Sequence, residues 1–446
     1  MGLASLEEKE DTTPMWRNPH QCLAGPCAQQ GMLFAGATLR LSAAPAIEVK
    51  GLVYEGLHYL VLHELGHTLG LNHNFRSSQF HDLASIHKRE ITEKVGLTGS
   101  VMDYPPANVA PQGIPQGQYY TTKPGPYDHW AIEYGYAEGL EDPAKEAQRL
   151  AKLAARSHEH ELGFANDADD MRRSGKGIDP RAMIFDMSSD EVTYGTQRCE
   201  IVKQKLAELL AKQPEKGASW QSLTQAYVTL TTEAANSLTA ISRYVGGVYV
   251  ERAFVGQAPD AKPFTPVEKA KQRQALEALA KYAFAPDAWQ LPADLASHLQ
   301  QQRRGFDFDR EDEDPRLHER VLKLHRALLD HLTHTDLQRR IVDSALYGNE
   351  VPLGEVMGTL TKAIFEGDAA ATGPNTLRQN LQSEYLDRLL KIVNSSVYQP
   401  AAQGVAFGQI EQIRGLIAGP AFTNPQGHAH AAFLAYKIRR GLDEGK

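Results

Sequence analysis

The stretch HELGHTLGLNH at residues 63–73 constrains this chain more than any other feature. His63 and His67 are four residues apart, so on a helix they project from one side, one turn apart. Two imidazoles so placed can share one tetrahedral metal ion. Glu64 lies about 100° round the helix from His63. There it flanks the metal position without joining it, where a general base for a metal-activated water belongs. His73 is six residues past His67 and falls about 240° away on a continuous helix. It joins the other two only if the helix stops between them. Gly70 stands where a left-handed turn can end the helix and send the chain back.

The competing reading makes these histidines ordinary core residues. Leu57, Tyr59, Leu60, Val61, Leu62, Leu65, Leu69 and Leu71 make the helix apolar nearly all round, which predicts burial on every side. Burying two imidazoles and a carboxylate without partners is costly. A bound cation removes that cost, and the metal reading is preferred.

Composition narrows the classes further. The 446 residues suggest two or three domains. A net charge of −8 excludes a nucleic-acid binder that works by bulk positive charge. Nowhere do 18 apolar residues run together, so no membrane-spanning helix is expected. The opening MGLASLEEKEDTTP has neither the basic nor the apolar region of a signal peptide, and Leu6 stands where a myristoylation signal needs Ser or Thr. Three cysteines are no disulfide framework. Cys22 and Cys27, in CLAGPC, could close a small loop or be two ordinary thiols.

Apolar periodicity leans to helix over 26–45 and strongly predicts one from Tyr54 to about Gly70. Residues 104–126, rich in Pro and Gly, form a loop. Helices are then expected at about 127–134, 143–158, 192–213, 219–245, 266–283, 315–333, 336–347, 353–366, 375–396 and 427–442. Thr265 as cap, Pro266 at the first position and Glu268 mark the start of the fifth. An acidic loop spans 163–190, and the acidic run at 307–315 marks a sub-domain boundary.

SVMDY follows at 100–104. Together with the histidine pattern it resembles the metzincin clan of zinc peptidases, in which an extended zinc helix is followed by a Met-turn. HELGHTLGLNHNF, SVMDYPPANVAP and GPYDHWAIEYGY, in that order, look like the bacterial Met-zincin domain of large zinc-dependent metalloproteases. The likeness is close over 55–136 and diffuse over 160–285, where SRYVGGVYVERAF (242–254) contributes. The resemblance implies one zinc ion per chain, held by His63, His67 and His73, with Glu64 as general base. It makes Met102 an apolar floor below the metal and Tyr104 a second catalytic residue that reaches the zinc or the oxyanion. It further implies a peptide or protein substrate, export to the periplasm or beyond, and an upstream domain that completes the catalytic fold.

Two departures stand out. Many metzincins place Asp directly after the third histidine, where this chain has Asn74, and the sheet that normally precedes the zinc helix is short or missing. The expected architecture is therefore mainly α. A metzincin-type catalytic region covers 1–140, a helical extension 141–305 and a C-terminal helical domain 306–446. Asp128 is either an acceptor behind a ligand imidazole or, preferably, a carboxylate serving a helix N-terminus. Calcium at Asn166, Asp167, Asp169, Asp170, Asp179 and Asp186 has weak support, because the EF-hand spacing is absent. His428 and His430 face different sides of a helix, and His318 and His325 are expected at a helix surface. The rival to a zinc endopeptidase is a truncated, non-catalytic zinc-bound scaffold or protein-binding module.

Overall fold

Amphipathic and capped segments give a mainly helical chain. The computed structural model describes residues 22–169, 173–212, 216–258, 261–301, 313–368, 373–419, 422 and 424–443. Two helices lead: α1 (Ala24–Leu41) and α2 (Ala46–Thr68), which pack on one another. Short α3 (Arg89–Val95) and an extended, Pro-rich stretch follow. Next come α4 (Pro126–Tyr136) and α5 (Pro143–Ala154). Asp142 caps α5, accepting from the Ala144 amide at 2.9 Å, and Pro143 takes the first position, where no donor is needed.

The larger part of the chain is a helical assembly. α6 (Glu191–Lys212) and α7 (Gln221–Ser242) lie along one another, and α7 also contacts α1. A two-stranded antiparallel ribbon, β1 (Val248–Val250) with β2 (Phe264–Pro266), pairs Val248 with Pro266 and Val250 with Phe264. After it come α8 (Lys269–Tyr282), α9 (Ala293–Ser297), α10 (Leu317–Leu332), α11 (Thr335–Ser344) and α12 (Leu353–Phe365). The last three are α13 (Thr376–Asn394), α14 (Pro400–Ile417) and α15 (Pro425–Asp443). One apolar cluster runs from Phe34 in α1 through Leu238 in α7 and Leu360 in α12 to Ile438 in α15.

Several expectations change. Thr265 and Pro266 belong to β2, so α8 starts at Lys269 with Glu268 before it and no side-chain cap. Pairing with β1 holds that segment extended, and Pro266 sits at the strand's end. α14 was not anticipated, and α2 begins eight residues before Tyr54. His325 is buried in α10 rather than lying at its surface. Among the described residues no strand precedes α2.

The most consequential difference lies on α2. Its inner face carries the buried Leu52, Gly56, Tyr59, His63 and Gly66. Gly56 lets Met32 of α1 approach, since a Cβ there would lie 2.7 Å from the Met32 sulfur. The opposite face, Val53, Leu57, Val61, Leu65 and Leu69, is exposed, Val61 to 66%. Apolar residues all round this helix therefore do not mean burial all round.

Candidate metal centre

The centre is assembled where α2 ends. Gly70 takes φ +82°, the left-handed conformation open to glycine. Its amide donates to the His67 carbonyl and the Leu71 amide to the Gly66 carbonyl, both at 3.0 Å. These two bonds make the Schellman closure that reverses the chain. The reversal returns His73 to the helix, with ring centroids 4.8 Å from His67 and 5.5 Å from His63. The His63 and His67 rings are themselves 4.8 Å apart.

Each of the three imidazoles gives its Nδ1–H to a protein oxygen. His63 donates to the Val101 carbonyl at 2.7 Å, His67 to the Leu71 carbonyl at 3.0 Å, and His73 to Asp167 Oδ2 at 2.6 Å. Such bonds engage each Nδ1 and leave each Nε2 as the nitrogen that can serve a cation. His67 Nε2 is buried with no hydrogen-bond partner. An orphaned acceptor beside two similar nitrogens suits a cation. One ligand atom from each histidine and Cys22 Sγ all lie within 4.8 Å of one another. The residues thus fit a tetrahedral zinc ion.

Charge in the cluster is uneven. Burial, with His67 and His73 nearby, holds the His63 imidazolium down to about 3 despite the Val101 carbonyl. Burial acts the same way on His73, but its hydrogen bonds to Asp167 and Cys22 prevail and carry it up to about 9.

The turn at 100–104 lies against this cluster. Met102 is fully buried, and a Cβ on Gly66 would fall 2.3 Å from its sulfur, so the glycine makes room for it. Tyr104 is buried too, its hydroxyl 2.7 Å from His73 Nε2 and 2.9 Å from the Leu23 amide, from which it accepts. Asp128 accepts from the Val101 amide at 2.9 Å and the Gly125 amide at 2.8 Å, and also takes the Ser100 hydroxyl. It touches no ligand imidazole directly. It holds the residue whose carbonyl orients His63, and it serves the N-terminus of α4. Burial pushes its carboxyl up, against those three donors.

Asn74 fills its position in another way. Its amide donates to the Met102 carbonyl at 2.9 Å, and its side chain donates to Gly163 O at 3.0 Å and accepts from the Ala165 amide at 3.2 Å. It therefore ties the loop after His73 to the 100–104 turn and to the 163–165 segment. Glu64 is exposed at the rim, its Oε1 3.4 Å from Cys22 Sγ.

Two residues of this centre escaped the sequence reading. Cys22 lies 41 residues before His63, so no spacing announces it; it and Cys27 are not joined by a disulfide, so no loop is closed between them. Asp167 was grouped with acids that might hold calcium, but it serves His73. Its companions are dispersed: Asp169 pairs with Arg252, Asp179 with Arg181, and Asp186 takes Ser78 and Gln79. Asp170 lies outside the described residues. Among the described residues the His and Cys cluster is the one group arranged to hold a metal.

A family model described as Met-zincin matches residues 47–372, well over half of the chain. The chain belongs to the Met-zincin family. Membership places it among metzincin-like zinc metalloproteases. The match starts in the first turn of α2, takes in both HELGHTLGLNH and SVMDY, and runs past the 285 limit of the sequence resemblance, beyond the end of α12. No curated protein and no solved structure matches the Met-zincin chain. No helix among the described residues is long and apolar enough to cross a membrane.

Proposed function

We propose that the chain is a zinc-dependent metalloendopeptidase. The observation that carries this reading is the convergence of three Nε2 atoms whose Nδ1 partners are all engaged elsewhere. His63, His67 and His73 would hold one zinc ion. Bound zinc supplies a Lewis acid that acidifies the attacking water and polarises the scissile carbonyl. Glu64, exposed beside the cluster, would serve as the general base and carry a proton on its carboxylate to the leaving amine. The Tyr104 hydroxyl donates to the oxygen on which charge develops. Met102 packs as the apolar floor, Gly70 supplies the turn, and Asp128, Asn74 and Asp167 position what they touch.

A peptide or protein is the substrate, and export follows from the family likeness. The catalytic region occupies 1–140, with a helical extension over 141–305 and a C-terminal helical domain over 306–446. The exposed row from Val53 to Leu69 favours an upstream domain that covers this side of α2. One observation favours the non-catalytic scaffold instead: Cys22 Sγ stands as a fourth donor, as in a closed structural site.

Elemental analysis of the purified chain should give about one zinc per chain. Cleavage of a peptide library should stop when a chelator removes it. Glu64→Gln should keep the metal and lower turnover by about 10²-fold or more. Loss of metal in Glu64→Gln would refute the base assignment. Zinc without cleavage by either the wild type or Cys22→Ser would leave the scaffold reading.

A further inference from the structure

The Cys22 thiol sits 3.4 Å from His63 Nε2, 3.4 Å from Glu64 Oε1 and 3.5 Å from the Tyr104 hydroxyl. In a tetrahedral site with Zn–S near 2.3 Å and Zn–N near 2.0 Å, a sulfur and a nitrogen ligand lie about 3.5 Å apart. The 3.4 Å between Cys22 Sγ and His63 Nε2 is close to that edge. We propose that Cys22 is the fourth protein ligand of the metal and closes the site in the form seen here. The inference rests on the zinc reading above and adds a donor that the histidine pattern does not contain.

The surroundings agree with a ligand rather than a stray thiol. Cys22 lies two residues before the start of α1, and Leu23 between them is fixed by its amide, which donates to the Tyr104 hydroxyl. Leu23, Ala24, Cys27, Phe75, Tyr104 and Ile184 form a small buried cluster of their own, with Cys22 packed against it. The sulfur is therefore held on the open side of the three imidazoles, between the general base and the tyrosine. On coordination the S–H bond breaks and the sulfur keeps the electron pair as a thiolate. The proton passes to Glu64, whose Oε1 lies 3.4 Å from the sulfur, and from its exposed side chain to water. No oxidant is involved.

The consequence is latency. A catalytic zinc site keeps one position for water or substrate, whereas four protein donors make a closed site. Cleavage then requires the Cys22 sulfur to leave the fourth position and take back one proton. Loss of the sulfur leaves three imidazoles and an open fourth position.

The test is cobalt substitution of the full chain. Metal-free protein loaded with Co(II) should show strong visible bands of tetrahedral cobalt and a near-ultraviolet thiolate-to-cobalt charge-transfer band. Cys22→Ser should keep the visible bands and lose the charge-transfer band; Cys27→Ser should keep both. With zinc bound, alkylation of Cys22 by iodoacetamide, followed by mass spectrometry, should slow at least tenfold relative to the metal-free chain. Tetrahedral visible bands without charge transfer in the wild type would overturn the Cys22 ligand and leave the three-histidine site standing. Charge transfer that survives Cys22→Ser would overturn it equally. Absence of visible bands in the wild type would sink the metal reading itself.

Discussion

Asp167 lets the importance of an acceptor behind a ligand be measured directly. Its carboxylate receives the His73 Nδ1–H at 2.6 Å, while the other two histidines give theirs to backbone carbonyls. Asp167→Asn keeps the shape and an acceptor oxygen but removes the charge. Losing such a partner usually costs 10- to 100-fold in metal affinity. Competition with a chelator should show that loss for Asp167→Asn, with the metal still bound at saturation; an unchanged affinity would make His73 independent of this carboxylate. At this scale the histidine positions were legible because metal geometry imposes local spacing on one helix and its terminating glycine. Asp167 and Cys22 reach the centre across 94 and 41 residues respectively, and no local period constrains such partners.

Among the elements, α10 carries a pH sensitivity that its sequence hid. His325 was expected at a helix surface but is buried, with Nε2–H donating to the Ala283 carbonyl at 3.0 Å and Nδ1 without a partner. Burial, together with Arg378, brings its pKa down to about 4 against the pull of that carbonyl. Folded, the ring is neutral; unfolded, it takes up a proton near its ordinary value of 6.5. The unfolded state therefore binds more protons, and stability falls as pH drops from about 6.5 to about 4. The full shift corresponds to about 3 kcal/mol at the acid end. Urea titrations across that range should show a flatter loss for His325→Leu than for the wild type; parallel curves would remove His325 as a source of acid sensitivity. His325 and the exposed row on α2 misled for one reason. Side-chain polarity predicts which faces differ, whereas burial depends on what neighbouring elements supply. Helix existence was far more legible than helix ends: Pro266 looked like a first helical position until β1 took the segment as a strand.

For the whole molecule, the question is how the metal centre is held to the helical mass behind it. Arg198 of α6 forms a fully buried ion pair with Glu233 of α7. Its Nη1 also donates to the Ala107 carbonyl at 2.7 Å, three residues past Tyr104, and its guanidinium lies 4.4 Å from the ring centre of Phe34 in α1. One side chain thus links both long helices to α1, at whose start Cys22 stands, and to the segment that follows the 100–104 turn. Removing one partner of such a pair leaves a buried charge uncompensated and costs about 3–5 kcal/mol, whereas replacing both by apolar groups of similar volume is often nearly neutral. Arg198→Met should therefore lower the urea midpoint strongly, and Arg198→Met with Glu233→Leu should recover most of it. The Ala107 carbonyl loses the guanidinium donor in both variants and keeps the Val109 amide. If Arg198 also sets the turn, metal affinity should stay reduced in the double variant after stability has returned. Full recovery of both quantities would confine Arg198 to the helix pair and leave the centre anchored by α2 and Asp128.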